Sequence, residues 1–409
     1  MGEACLGDLL QVLIDHRGRT PKKLGSDFVR VGVPVVSAIN IKGRRIVLDS
    51  PPRCVTQGVF ERWMPTRLRR GDVLLTSEAP LGEVALVKSD GPLVLGQRLF
   101  ALRGKPGILD NEFLFYLLQW EPIRNRLISR ATGTTVTGIR QAELVRVSMP
   151  VLPLPEQRAI AEVLGALDAK IEANRLLQSL LDRYLMLAYR SSLEAYDTTT
   201  VEVGDLMEPA LGGAWGSDEP ASASDVLVSC LRGIDLSYIN EGKKPNPPLR
   251  WLSQAQFAKR TFGEGEIWLE GSGSFCGRSL LVGHYLDRWF DHPVRYSNFV
   301  KRLIPKKSQI PSVIVWLSLR AAYTSGLVHG WRTGTAFPNL DIRAVLRHVV
   351  TVPPPAVLRR IASLASASLD PAPAMESSAL GDLRDALLPR LLSGELRVRE
   401  AEALAEEAL

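Results

Sequence analysis

The chain has 409 residues, 45% of them hydrophobic, with a mean hydropathy of +0.03 and a formal net charge of +6. That length and balance suit two or three folded domains and exclude a largely disordered chain. No window reaches about 18 uninterrupted apolar residues and the N-terminus lacks a basic stretch leading into an apolar run, so neither a membrane span nor a signal peptide is expected and the chain reads as cytoplasmic.

Cys5, Cys54, Cys230 and Cys276 are scattered without CxxC spacing, the pattern of ordinary reduced thiols rather than of a zinc site or a disulfide framework. Charge is unevenly divided. Residues 1–150 carry 22 Lys and Arg against 14 Asp and Glu, and residues 199–353 carry 17 against 14. The stretches between and after them carry 5 against 7 and 6 against 9. Positive charge therefore sits in two segments that read as globular, the arrangement expected of modules facing a polyanion while the rest faces protein.

Residues 1–152 alternate short apolar runs with Gly, Pro and polar turns. Val33–Ile41, Gly71–Ser77, Glu83–Ser89 and Gln97–Arg103 read as strands. Asn111–Ala131 reads as a helix capped by Asn111 and kinked or divided by Pro122. A polar loop, Thr132–Leu144, and a last strand follow, which makes the segment a mixed α/β module.

Residues 153–198 read as one long helix. Pro153 and Pro155 mark its start, Glu156 complements its dipole, and no further proline occurs until Pro209. Ile160, Val163, Leu167, Ile171, Leu177 and Leu181, continued by Tyr184 and Ala188, make a narrow apolar stripe of the coiled-coil kind, with Asn174 inside it. From Pro155 to Ser192 such a helix would be roughly 57 Å long at 1.5 Å per residue.

Residues 199–353 repeat the order of the first module. Gly7-Asp8-Leu9 returns as Gly204-Asp205-Leu206, Val33–Ile41 as Val226–Ile234, and Arg70-Gly71-Asp72-Val73 as Glu264-Gly265-Glu266-Ile267. Thr132-Gly133-Thr134 returns as Thr333-Gly334-Thr335, and Pro153 and Pro155 as Pro353 and Pro355. One unit of about 200 residues is used twice. In residues 354–409 the second helical segment is interrupted by Pro371 and Pro373, so two helices are expected there, the later one carrying Leu380, Leu383, Leu387 and Leu391 until Gly394 stops it.

The stretch LPLPEQRAIAEVLGALDAKIEANRLLQSLLD, from Leu152 to Asp182, resembles the central region of the specificity subunits of type I restriction-modification enzymes, and Leu383–Val398 resembles their C-terminal region. The resemblance implies an α+β chain of two tandem target-recognition domains, each followed by a helical segment, the two segments packing as an antiparallel coiled-coil spacer. It further implies that each module reads one half of a split double-stranded DNA site, and that the helices bind two modification (methyltransferase) subunits, which restriction and translocase subunits can join. The S-adenosylmethionine, ATP and Mg of such a system belong to those partners, leaving this chain non-catalytic and without a cofactor. A rod of roughly 57 Å corresponds to at most about 17 base pairs at 3.4 Å each, and the two modules differ in sequence, so an asymmetric bipartite site is expected.

The residues agree with the absence of chemistry. Asn246-Pro247-Pro248-Leu249 is similar to an amino-methyltransferase motif but has Leu249 where an aromatic must stack on the flipped base. Gly271-Ser272-Gly273 and its counterpart Glu78-Ala79-Pro80 read as turns, no GxxxxGK[ST] loop occurs, and the five histidines show no metal-ligand spacing. DNA recognition needs only Arg and Lys for phosphates and Arg, Asn, Gln, Ser or Thr for base edges. In the first module the candidates are Arg17, Arg19, Lys22, Lys23, Asn40, Lys42, Arg44, Arg45, Gln97, Arg98, Thr132, Thr134, Thr135 and Arg140. In the second they are Trp215, Arg232, Lys243, Lys244, Arg278, Asn298, Arg332, Thr333 and Thr335. A scaffold with degenerate modules, binding modification subunits without reading a sequence, is the alternative that the weaker charge of the second module suggests.

Overall fold

A computed structural model of the chain describes residues 2–49, 51–133, 137–334 and 337–409. It divides into two compact units, Met1–Ala169 with Leu380–Leu409, and Lys170–Ala379. The division falls inside helices: Leu154–Ala195 begins in the first unit and ends in the second, and Ala372–Ser393 does the reverse.

Each unit is built on the same strand order. In the first, Leu10–Asp15, Leu99–Gly104, Val73–Thr76 and Val84–Leu86 lie side by side in that order, all antiparallel. A second sheet pairs Val33–Val36 antiparallel with Cys54–Val55 and parallel with Val94–Leu95, and Gly2–Cys5 pairs with Ser148–Val151. In the second unit Met207–Pro209, Val300–Pro305, Ile267–Glu270 and Ser279–Leu281 form the same antiparallel sheet. Val226–Leu231 again takes one antiparallel neighbour, Leu249–Leu252, and one parallel, Val294–Tyr296, while Thr199–Glu202 pairs with Val349–Val352.

The repeat extends to buried charge. Gly71 and Gly265 sit at φ 86° and 81°, a left-handed turn that favours glycine and leads into the first strand residue in both modules. The acid between them, Asp72 or Glu266, is buried and receives an arginine fork: Arg103 donates to both Asp72 oxygens at 2.7 Å, and Arg302 to both Glu266 oxygens. The arginines come from different registers of the neighbouring strand, since Leu102 faces Val73 and Leu303 faces Ile267.

The cores fill around these sheets. In the first unit Trp63, Leu74, Val94 and Ala101 are fully or almost fully buried together. In the second, Trp316, Leu269 and Val350 share a core with Leu185 and Tyr189 of the long helix and Leu358 and Ile361 of Pro355–Ser368.

The long helix runs for 42 residues and takes the C-terminal segment antiparallel. In the second unit Lys170 meets Glu376 at 3.3 Å, Asn174 Nδ2 donates to Glu376 Oε2 at 2.6 Å and to the Pro373 carbonyl at 3.3 Å, and Gln178 Nε2 donates to the Asp370 carbonyl at 3.0 Å. The proline break lies between Ser368 and Ala372, and the two amides donate to carbonyls at the break and in the first turn after it. In the first unit Arg384 donates to Asp168, and Leu380, Leu387 and Leu391 are buried while Leu383 is half-buried.

Several expectations need correction. Ile160, Val163, Leu167 and Ile171 are buried, but Leu177 is 48% exposed and Leu181 only half-buried. The seam continues through Asn174, Gln178, Leu185, Tyr189 and Ser192, in steps of three, four and seven, because polar side chains are wanted where the partner helix breaks. The strand expected over Val33–Ile41 ends at Val36, where Ser37 and Asn40 form a capping box on a short 3-10 turn. Its counterpart is Arg232 with Asp235, so the two modules align here two residues away from the sequence match. Asp110 rather than Asn111 caps the helix Asn111–Leu117, accepting from Glu112 and Phe113 at 2.9 and 3.1 Å. The division expected at Pro122 is found, since Pro122 opens a separate helix, Glu121–Ser129. The helix Val398–Ala408 was not expected.

Candidate nucleic-acid interface

Where the strand Val73–Thr76 ends, three loops of the first module meet. Ser77 N donates to the Arg98 carbonyl at 2.9 Å, Ile139 N to the Ser77 carbonyl at 2.9 Å, and Glu78 bridges Gly138, which itself pairs with Thr132. Arg17 forks onto Asp15 and donates to the Ile139 carbonyl at 2.8 Å. Gln97 accepts from Gly18 N at 3.3 Å and donates to the Arg19 carbonyl, and Arg98 pairs with Glu78 at 2.9 Å. Arg17, Arg19, Gln97, Arg98 and Thr132 are thus brought together. His16 is buried beside them, and burial first, then the Arg19 charge, lowers its pKa, favouring the neutral imidazole.

The second module repeats the junction with other side chains. Gly271 N donates to the Phe299 carbonyl at 2.7 Å, Leu340 N to the Gly271 carbonyl at 2.9 Å, and Ser272 bridges Asn339, which pairs with Thr333. Asn298 therefore stands where Gln97 stands, Phe299 where Arg98 stands, and Thr333 where Thr132 stands, each 201 residues on. Arg332 donates to the Cys276 carbonyl at 2.7 and 3.1 Å, and Arg278 lies 3.8 Å over the Phe275 ring. Glu270, at the end of the central strand, is 8% exposed, and its Oε2 has no hydrogen-bond partner among the described residues. Its counterpart Thr76 is satisfied, donating to the Pro80 carbonyl at 2.6 Å and accepting from Glu83 N at 2.8 Å.

Other candidates are engaged elsewhere. Asn40 is buried in its capping box, and Arg232 forks onto buried Asp235. Arg44 donates to Asp385 of the C-terminal helix at 2.8 Å, and Arg45 belongs to the same hairpin, Ile41–Lys42 with Arg45–Ile46. Trp215 lies under Arg250, and Lys243 pairs with Glu241. Lys22, Lys23, Lys42, Lys244 and Arg140 are exposed. Thr134, Thr135 and Thr335 lie outside the described residues. Glu78, Glu270, Phe275, Phe299 and Phe337 were missed because a search for basic and amide side chains passes over carboxylates and phenylalanine. The offset of 201 residues between the Thr-Gly-Thr copies would have found Phe299 opposite Arg98.

Among the described residues no group of His, Cys, Asp and Glu is placed to hold a metal ion, and no helix is long and apolar enough to cross a membrane. The junctions offer hydrogen-bonding and cationic side chains on a fixed frame, which suits reading a surface.

Residues 1–181 match the family model described as the type I restriction modification DNA specificity domain. Over 408 aligned residues, 94% of this chain and 91% of the relative, the chain is 22% identical to the type I restriction enzyme MjaIX specificity subunit of Methanocaldococcus jannaschii. It is 32% identical over 104 residues, 25% of this chain and 24% of the relative, to the putative MjaX specificity subunit of the same organism. The fold is similar to the crystal structure of the type I restriction-modification S subunit from M. genitalium, with a TM-score of 0.54, 16% identity and 95% of each chain covered. Residues 1–181 thus carry the type I restriction modification DNA specificity domain, and along nearly its whole length the chain is similar to specificity subunits of type I restriction enzymes.

Proposed function

We propose that each module reads one half of an asymmetric, split DNA site through its loop junction, and that the helices carry two modification subunits. The observation that supports this best is the pairing of unlike side chains at a like position, Arg98 with Phe299, on one strand frame used twice. A frame held constant while the side chains at its loop junction change is what two different half-sites require.

The long helix supports the partner part of the reading. Leu176, Leu180, Tyr184 and Leu187 are 58, 50, 46 and 59% exposed at steps of four, four and three, an apolar stripe on the side opposite the seam. A modification subunit is its occupant in this reading, because the chain's relatives are subunits of multi-component enzymes and the stripe follows the helix that separates the modules. Restriction subunits join the same assembly. Methyl transfer, S-adenosylmethionine, ATP and Mg belong to those partners.

The test is co-expression with the modification subunits, followed by sequencing of modified bases in host DNA. A single two-part motif is expected. A stable complex that modifies no defined motif would instead favour a scaffold with degenerate modules, the reading suggested by the second module's small excess of cations, 17 against 14.

A further inference from the structure

The second module exposes an aromatic edge that hydrogen-bond readout does not use. Phe337 is 80% exposed within the hairpin formed by Arg332–Thr333 and Asn339–Leu340, Phe299 is 54% exposed and Phe275 is 47% exposed. Backbone bonds hold all three to one turn: Gly271 N reaches the Phe299 carbonyl at 2.7 Å, Gly273 N the Pro338 carbonyl at 2.9 Å, and Arg278 N the Phe275 carbonyl at 3.2 Å.

Cations are interleaved with the rings. Arg278 stacks 3.8 Å over Phe275, and exposed Lys301 follows Val300 on the strand that Phe299 precedes. Rings left in water beside cations suit a ligand that is apolar on its faces and anionic along its edge. Stacked bases between phosphates have both properties, whereas an apolar protein surface has only the first.

We propose that Phe337 enters the base stack of the half-site bound by the second module, unstacking one step while Arg278 and Lys301 hold the flanking phosphates. The inference rests on the DNA-recognition reading above. At the same offset of 201 residues the first module has Val136, a smaller side chain in a residue outside the described set, so the distortion is expected in the second half-site.

The full chain, assembled with its modification subunits, is titrated onto duplexes carrying 2-aminopurine at successive positions of each half-site. Unstacking brightens the probe, so one position in the second half-site should brighten several-fold on binding. Phe337→Ala should remove that signal and weaken specific binding roughly 5- to 150-fold, by the usual worth of one base–aromatic contact. Phe337→Leu should keep part of the signal, since aliphatic wedges also open a step. The exposed position leaves the fold untouched, and an unchanged melting temperature checks this. Specific binding without any brightened position, or brightening and affinity retained by Phe337→Ala, would overturn the wedge alone. Failure of the wild-type complex to prefer any sequence would remove the recognition reading and the wedge with it.

Discussion

Tyr116 Oη donates to Asp168 Oδ2 at 2.8 Å, fastening the first module to the long helix. The same carboxylate receives Arg384 from the C-terminal helix, so one side chain joins three elements of the first unit. Burial, then the neighbouring Asp168 charge and the hydrogen bond to it, pushes the Tyr116 phenol far up, which keeps it a donor at every ordinary pH. Gln157, 1% exposed, makes the second fastening, with the Ile108 carbonyl at 2.9 Å and Asp110 N at 2.9 Å.

Removing that carboxylate should cost more than removing the hydroxyl. Tyr116→Phe is expected to lose about 1 kcal/mol, a single hydrogen bond to a partner that keeps its cation. Asp168→Ala should lose about 2 kcal/mol or more, because Arg384, with a side chain only 12% exposed, keeps just one of its two acids. Urea unfolding of the full chain, fitted for both variants, checks the order. Equal losses would mean the ion pair is not part of the fastening.

The Asp385 carboxyl gives a pH dependence whose sign is fixed. Burial opposes its ionisation, but hydrogen bonds from Arg384 and Arg44 outweigh this and hold it below the ordinary 3.8. A carboxyl lowered by folding contributes stability that is complete above about pH 3.8 and is lost as pH falls through the lowered folded value. Melting curves below that pH should therefore drop for the wild type. Arg44→Ala, which removes one of the groups that hold the carboxyl down, should show a smaller drop from the same onset, and Asp385→Asn should show a smaller one still.

Glu270 carries the opposite sign. Burial raises it above 4.5 against the lowering charges of Arg278 and Arg332, so its cost is present above pH 4.5 and is relieved as pH falls through the raised folded value. Glu270→Gln should melt higher than wild type at neutral pH and little differently near pH 4. By contrast Asp72→Asn and Glu266→Gln, which strip the acid from buried arginine forks, should each cost about 3 kcal/mol. Calorimetry at both pH values separates the two behaviours.

The seam gives a paired test on one helix. Replacing Leu167 and Ile171 by Asp should prevent folding of the helical segment, since both are buried. Leu177→Asp, at a position 48% exposed, should change stability by no more than about 0.5 kcal/mol. If the exposed stripe docks a modification subunit, Leu180→Asp with Leu187→Asp should leave the melting temperature unchanged and abolish co-purification.

Much of this architecture was legible in the residues. The long helix shows in the proline-free run from Glu156, the duplication shows in Gly71-Asp72 against Gly265-Glu266, and the break shows in Pro371 and Pro373. These are local signals, set by backbone chemistry. What was not legible depended on partners far along the chain. Asn174 was legible inside the stripe, but Gln178 belongs to the seam through its bond to a carbonyl 192 residues later, and an apolar pattern therefore pointed to Leu177 instead. Arg44 reads like a phosphate ligand until Asp385 is found beside it. Buried Glu270 and exposed Phe337 could not be told apart from ordinary strand and loop residues before the junction was seen.

The most direct measurement exchanges residues 199–353 for the corresponding module of a specificity subunit with a known target, keeping the helices and the first module, and sequences the modified bases after co-expression with the modification subunits. One half of the two-part motif should change to the donor's, with the other half retained. A motif that stays whole, or both halves changing together, would contradict the account that each module reads its own half.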